Sequence, residues 1–212
     1  MSSKPNTTSI LKPIANESYI LPGFATAKTN ALLTAIEGVI QVAPLRQMHT
    51  PGGFKMAAQL TNCGKYGWVT DRHGYRYQIT DPETDLSWPT MPELIHQLAL
   101  EAASACGFEH FKPDVCLINC YQPGAGMGLH QDKDEKDFSA PIVSVSLGVP
   151  AIFLFGGAKR QDKPSAYLLK NGDVVVWGGE DRLRFHGVQP IKLAHHPMTG
   201  QKRFNLTIRQ AA

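Results

Sequence analysis

At 212 residues the chain is long enough for one sizeable hydrophobic core and short for two, so a single domain is expected. Its 42% apolar and 18% charged residues exclude a disordered chain, and 19 glycines with 15 prolines favour short strands and turns over long helices. A formal net charge of +3 permits nucleic-acid contact without arguing for it.

Residues 1–18 are polar, rich in Ser, Thr, Asn and Pro, and lack a regular apolar pattern; they read as a flexible arm ahead of one domain spanning 19–212. From Thr29 to Val42 the residues Leu32, Leu33, Ile36, Val39 and Ile40 fall on one helical face. Residues 44–90 change character, with scattered aromatics and turn signals at Pro51-Gly52-Gly53 and Cys63-Gly64. That is the composition of short strands joined by turns, with Tyr66 and Trp88 filling a small core. A second helix is predicted behind Thr90-Met91-Pro92-Glu93, with Thr90 as N-cap, Glu93 closing a capping box and Gly107 as the stop. His96 and His110 read as surface residues. Beyond Pro113 come strands at Val115 to Tyr121, Ile142 to Leu147, Ala151 to Phe155, Tyr167 to Leu169, Val174 to Trp177, Leu183 to Val188 and Phe204 to Ile208. So many short strands make a mainly β, double-sheet jelly roll the expected core, over about 113–212.

The cysteines Cys63, Cys106, Cys116 and Cys120 form no paired CxxC motif, which argues against a zinc knuckle or disulfide framework and suits a reducing cytosol. No apolar run approaches the roughly 20 residues that span a bilayer, and no signal core opens the chain, so a cytoplasmic protein without membrane contact is expected.

The chemistry concentrates in Leu129-His130-Gln131-Asp132. If that run is extended, His130 and Asp132 project from one face. A third ligand would arrive from a distant strand, and His186 is the best candidate. Two imidazoles and one carboxylate leave one face of a metal open, the pattern of non-haem Fe(II) oxygenases. HxD alone occurs by chance in a chain with eight histidines. The run Arg203-Phe204-Asn205-Leu206-Thr207-Ile208-Arg209 raises the odds, since as a strand it sets Arg203, Asn205, Thr207 and Arg209 on one face. A lone basic strand is better read as a solvated edge. Beside a metal triad, two guanidinium forks suit a small dicarboxylate.

Several segments, in one order, closely resemble the bacterial AlkB family: 46–53 (RQMHTPGG), 60–64 (LTNCG), 129–134 (LHQDKD), 141–147 (PIVSVSL), 172–179 (GDVVVWGG) and 203–209. The resemblance runs from about Tyr19 to the C-terminus. It implies a double-stranded β-helix with two buttressing helices and a nucleotide-recognition lid at about 44–90. The implied activity is dealkylation of bases of the 1-methyladenine and 3-methylcytosine type, using Fe(II), 2-oxoglutarate and O2 and releasing aldehyde, succinate and CO2. His130, Asp132 and His186 would hold the iron and form the catalytic centre. Asn119 and Arg209 would meet the C1 end of 2-oxoglutarate, and Tyr121, Arg203 and Asn205 its distal carboxylate. Trp68 and His186 would sandwich the base, Tyr75 and Tyr77 would lie near its phosphate and sugar, Asp134 near its exocyclic amine, and Arg160 would contact substrate or remain a loop cation. The expected partner is alkylated single-stranded DNA, with double-stranded DNA or RNA as alternatives, and the default state is a monomer. Phe54, Leu60, Cys120 and Met127 depart from the family pattern and bear on substrate choice.

The competing readings are a 2-oxoglutarate-dependent hydroxylase of a protein or small molecule, a silent jelly-roll binding module, and a zinc hydrolase on the same three ligands. The aromatic lid and Asp134 separate the first of these from base repair; the triad kept together with both arginines argues against the second.

Overall fold

The computed structural model describes residues 11–212. Two antiparallel sheets face one another. The larger has seven strands in the order β1 (Lys12–Ala15), β2 (Ser18–Leu21), β11 (Val174–Trp177), β8 (Ile142–Gly148), β13 (Arg203–Arg209), β6 (Val115–Tyr121) and β3 (Gln59–Gly64). The smaller has four, β10 (Ser165–Leu169), β9 (Ala151–Phe155), β12 (His186–Val188) and β7 (Met127–His130). A hairpin, β4 (Gly67–Asp71) and β5 (Gly74–Gln78), forms a third, two-stranded sheet. This is the mainly β jelly roll, the double-stranded β-helix, that the strand count and the resemblance imply.

Strand alternation divides the large sheet into two chemically different faces. Val143, Val145, Leu147, Val174, Val176, Leu206, Ile208, Cys116 and Ile118 point outward onto two helices, α1 (Thr29–Val42) and α2 (Glu93–Ala105). Those helices contribute Leu32, Leu33, Ile36 and Val39, and Ile95, Leu98, Ala99 and Ala102, so the apolar core lies outside the sandwich, between sheet and helices. The inner face carries Ser144, Asn119, Tyr121, Arg203, Asn205, Thr207 and Arg209, all lining a cavity between the sheets. A smaller plug of Ile20, Ile142, Phe153, Phe155, Val175 and Trp177 closes one end.

Both helices form as expected, and Gly107 ends α2 in the left-handed region at φ 89. The Phe108 and Gly107 N–H groups bond back to the Ala103 and Ser104 carbonyls, a Schellman closure. The expected capping box is corrected. Pro92 is extended (φ −56, ψ 135) and is itself the cap residue, which leaves Thr90 two residues too far upstream. Glu93 instead accepts a bond from Gln97 Nε2 at 2.6 Å.

Two further boundaries move. Of the 1–18 arm, residues 1–10 lie outside the described residues, while Lys12–Ala15 is a strand paired with β2, which itself pairs β11. An edge strand satisfied mainly through its backbone needs no apolar pattern, which is why composition gave no sign of it. Within 44–90, β3 belongs to the large sheet, beside β6. Asn62 joins the two regions: its amide donates to the Trp68 carbonyl at 3.0 Å and accepts from the Trp68 N–H at 3.0 Å, so β4 hangs from β3 by a side chain.

Candidate active site

The three expected metal ligands meet. His130 ends β7 and His186 opens β12, and the two are direct cross-strand partners. Their rings lie 4.4 Å apart between centroids. Gly187 allows this pairing, because a Cβ there would stand 2.7 Å from the Met127 carbonyl oxygen. Asp132 lies just past β7, with Oδ1 3.7 Å from His130 Nε2 and Oδ2 3.6 Å from His186 Nε2. One donor atom from each of the three residues falls within 4.8 Å of the others.

Each imidazole is oriented by its other nitrogen. His130 Nδ1 lies 2.9 Å from the Gly128 carbonyl oxygen and His186 Nδ1 3.0 Å from that of Arg184. A carbonyl only accepts, so the Nδ1 atoms carry the protons and both Nε2 lone pairs face Asp132. Burial and the neighbouring His186 push His130 down to about 4 from an ordinary 6.5. Burial works to raise the Asp132 carboxyl, but Arg209 and His186 hold it well below its usual range. Two imidazole nitrogens and one carboxylate form the donor set that suits Fe(II).

This charge pattern fixes a pH response. An unfolded His130 takes up its proton near pH 6.5 and the folded one only near 4, so the unfolded chain binds more protons between those values. The metal-free protein should lose stability as pH falls from 6.5 towards 4, and His130→Gln should flatten that slope in urea titrations at pH 7 and 5. An equal slope in the variant would assign the loss to other groups.

The expected polar strand is central, between β8 and β6, and its inner face is buried. Arg203 is only 1% exposed. Its Nη2 donates to Ser146 Oγ at 2.9 Å and its guanidinium lies 5.5 Å from the Tyr121 ring centre, yet Nε and Nη1 have no partner. Burial pushes this guanidinium below its ordinary value, and no carboxylate is paired with it among the described residues. A buried cation with two idle donors calls for an anion. Asn119 lines the same cavity with a buried, unpartnered Oδ1, and a half-turn of its amide would offer N–H groups to that cavity. Burial pushes the Tyr121 phenol up to about 12, leaving it a neutral donor. Asn205 donates to Ser144 Oγ at 2.8 Å and accepts from Thr207. These residues fit a small dicarboxylate, with one end at Arg203 and the other near the triad.

Arg209 is already engaged. Its Nε and Nη2 donate to Asp132 Oδ2 at 2.9 and 2.6 Å, and its Nη1 lies 3.3 Å from the Tyr77 hydroxyl. At the cavity mouth Trp68 stacks on Tyr75, with ring centres 5.6 Å apart and planes 18° from parallel. The Trp68 Nε1–H donates to Asp134 Oδ2 at 2.9 Å. Trp68, Tyr75, Asp134, Arg160 and His186 all line the same cavity of about 630 Å³. Arg160 also sits over the Phe185 ring at 5.1 Å. Tyr77 is placed differently: its hydroxyl turns inward and donates to buried Glu135 at 2.7 Å. Leu60 and Met127 line the cavity, whereas Phe54 is 76% exposed and Cys120 points to the opposite face of β6.

Four residues go unflagged by sequence reasoning: Ser144 and Ser146, which hold Asn205 and Arg203, and Arg182 and Glu135, which lie beneath the triad. Arg182 Nη1 donates to the Asp132 carbonyl at 2.8 Å. The alternation of serine with valine over 143–146 is the signal that would have found the first two.

A jelly roll holding an inward His-x-Asp…His triad and a buried arginine strand defines the class of Fe(II) oxygenases that use a dicarboxylate cosubstrate. The model of the 2OG-Fe(II) oxygenase superfamily matches residues 17–209. The alpha-ketoglutarate-dependent dioxygenase AlkB of Escherichia coli K12 is 54% identical over 200 residues, 94% of this chain and 93% of that protein. Human nucleic acid dioxygenase ALKBH1 is 36% identical over 127 residues, 60% of this chain and 32% of that protein. The solved structure of OsALKBH1 superposes with a TM-score of 0.81 at 29% identity, covering 94% of this chain and 99% of that one. The chain belongs to the AlkB family of 2OG-Fe(II) oxygenases, and is a dioxygenase that requires Fe(II), 2-oxoglutarate and O2. No helix among the described residues is long and apolar enough to cross a membrane.

Proposed function

We propose that this dioxygenase removes N-linked alkyl groups from nucleic-acid bases of the 1-methyladenine and 3-methylcytosine type, in single-stranded DNA first and RNA second. The observation that carries the reading is the pairing of Trp68 with Asp134 above the triad. An aromatic face and a carboxylate presented together suit a flat ring that carries positive charge, as a base does after N-alkylation. The carboxylate favours the cationic lesion over the neutral base, and stacking needs no paired strand. The name of the human relative, a nucleic acid dioxygenase, supports the same class of substrate.

The chain's residues then divide the work. His130, Asp132 and His186 hold the iron, with both Nε2 atoms free because each Nδ1–H is bonded to a carbonyl. Arg203, Tyr121 and Asn205 would receive the distal carboxylate of 2-oxoglutarate and Asn119 and Arg209 its other end, a reading supported by all five lining the cavity. Held by these three ligands, iron would supply the oxidation of 2-oxoglutarate and alkyl carbon by O2, one oxygen atom going into the succinate formed with loss of CO2 and the other onto the alkyl carbon. The hydroxylated N-alkyl group then departs as aldehyde, leaving the N–H base. Trp68 and Asp134 hold the alkyl carbon towards the open face of the triad, and the plug of Phe153 and Trp177 keeps water from behind His186.

Trp68→Ala tests the assignment. Base stacking on an aromatic residue contributes about 1–3 kcal/mol, so aldehyde release from a single-stranded oligonucleotide with one 1-methyladenine should fall about ten- to a hundredfold in kcat/KM. Succinate formed without the oligonucleotide should persist. Undiminished aldehyde release would remove Trp68 from recognition, and succinate without demethylation in the parent would favour a protein or small-molecule substrate instead.

A further inference from the structure

A ring of polar contacts, buried except where it meets Tyr77, runs beneath the triad and passes through the recognition hairpin. Arg209 donates twice to Asp132 Oδ2, and its Nη1 reaches the Tyr77 hydroxyl at 3.3 Å. That hydroxyl gives its own proton to Glu135 Oε1 at 2.7 Å. Glu135 Oε2 lies 3.1 Å from Arg182 Nη2, and Arg182 Nη1 returns to the Asp132 carbonyl. Glu135, Arg182, Arg209 and Asp132 are each less than 9% exposed. Tyr77 is the ring's one member from the β4–β5 hairpin. Everything else in it comes from the loop after β7, the turn before β12, and β13.

The joint to the hairpin is slack, and the one between Glu135 and Arg182 is an ion pair without a hydrogen bond. Arg209 meets Asp132 at 2.6 and 2.9 Å but Tyr77 only at 3.3 Å, the long end of hydrogen bonding. A two-stranded hairpin has little stability of its own, so its seating depends on such ties. A carboxylate arriving beside Arg209 would settle the guanidinium plane to which the Tyr77 oxygen bonds. We propose that Tyr77 and Glu135 are positioning residues that couple the seating of the β4–β5 hairpin to occupation of the cosubstrate site at Arg209. Cosubstrate binding then seats the base-recognition surface, and by reciprocity a seated hairpin tightens 2-oxoglutarate. The inference rests on the placement of 2-oxoglutarate given above.

Hydrogen exchange over residues 67–78, read by mass spectrometry, tests this without catalysis, using full-length protein loaded with Mn(II) in place of Fe(II). Adding 2-oxoglutarate should slow exchange of this segment in the parent by about fivefold or more, the lower end of common coupling strengths. Tyr77→Phe keeps the ring and loses the hydroxyl. In that variant the slowing should shrink below about twofold, and the 2-oxoglutarate Kd, measured by tryptophan fluorescence, should rise by the same factor that is lost. Exchange that is faster in Tyr77→Phe but still slowed to the parent's degree would make the tyrosine a mere prop and overturn the coupling, as would a parent hairpin indifferent to 2-oxoglutarate. An error in the cosubstrate placement has a separate signature, an Arg203 variant with unaltered KM.

Discussion

Replacing Arg203 with alanine should raise the KM for 2-oxoglutarate at least about a hundredfold while leaving the fold intact without cosubstrate. Two of its donors, Nε and Nη1, have no partner inside the protein. Each charge-assisted hydrogen bond they make to a carboxylate contributes about 1.5–3 kcal/mol, and each 1.4 kcal/mol is about tenfold in affinity. The effect on stability is smaller than that for an ordinary core residue. Arg203 is a buried cation whose burial is offset by one bond to Ser146 and the Tyr121 ring, so its removal relieves a desolvation cost while opening a cavity. The two effects oppose each other. Succinate formation measured against 2-oxoglutarate concentration, together with urea unfolding of the cosubstrate-free protein, separates the roles. A lowered unfolding midpoint with an unmoved KM would make Arg203 structural and displace the cosubstrate from this end of the cavity.

The same arginine illustrates what sequence alone conveys about this site. The alternation from Arg203 to Arg209 places four polar residues on one face, and all four line the cavity. Alternation cannot say whether such a face meets water or a second sheet. That depends on β13 lying between β8 and β6, a pairing set by chain segments about 60 and 90 residues away. The triad was legible for a related reason: His-x-Asp is local, and its partner needed only to be a histidine on another strand. Its local geometry was less so, because β7 ends at His130 and Asp132 reaches the site from a loop. Tyr77 marks the limit. Trp68, Tyr75 and Tyr77 share one face of the hairpin by parity, yet Tyr75 is 48% exposed while Tyr77 bonds to a buried carboxylate. Periodicity gives the face and not the depth, and depth is decided by where Glu135 stands. Family resemblance supplied a role for Tyr77 without that depth.

Asp132→Asn should abolish succinate formation and also destabilise the metal-free protein by about 3–5 kcal/mol, the usual range for breaking a buried ion pair. The two consequences come from two neighbours of one carboxylate. Towards the cavity, Asp132 completes the metal site with His130 and His186. Towards the interior, Oδ2 accepts two N–H bonds from Arg209, which is 4% exposed and would be left with Glu135 at 3.5 Å as its nearest remaining anion. Asparagine has nearly the same shape, so no cavity confuses the measurement. His130→Ala provides the contrast. The ring of His130 makes one hydrogen bond, to the Gly128 carbonyl, and its removal leaves no buried charge unpaired, so its loss should end activity with little change in the stability of the metal-free protein at pH 7. Metal content, succinate yield and urea unfolding of the three proteins test both halves together. Succinate formed by Asp132→Asn would remove it from the ligand set. An unfolding midpoint equal to the parent's would mean that Arg209 is held in place by Glu135 and Tyr77 and not by the metal ligand.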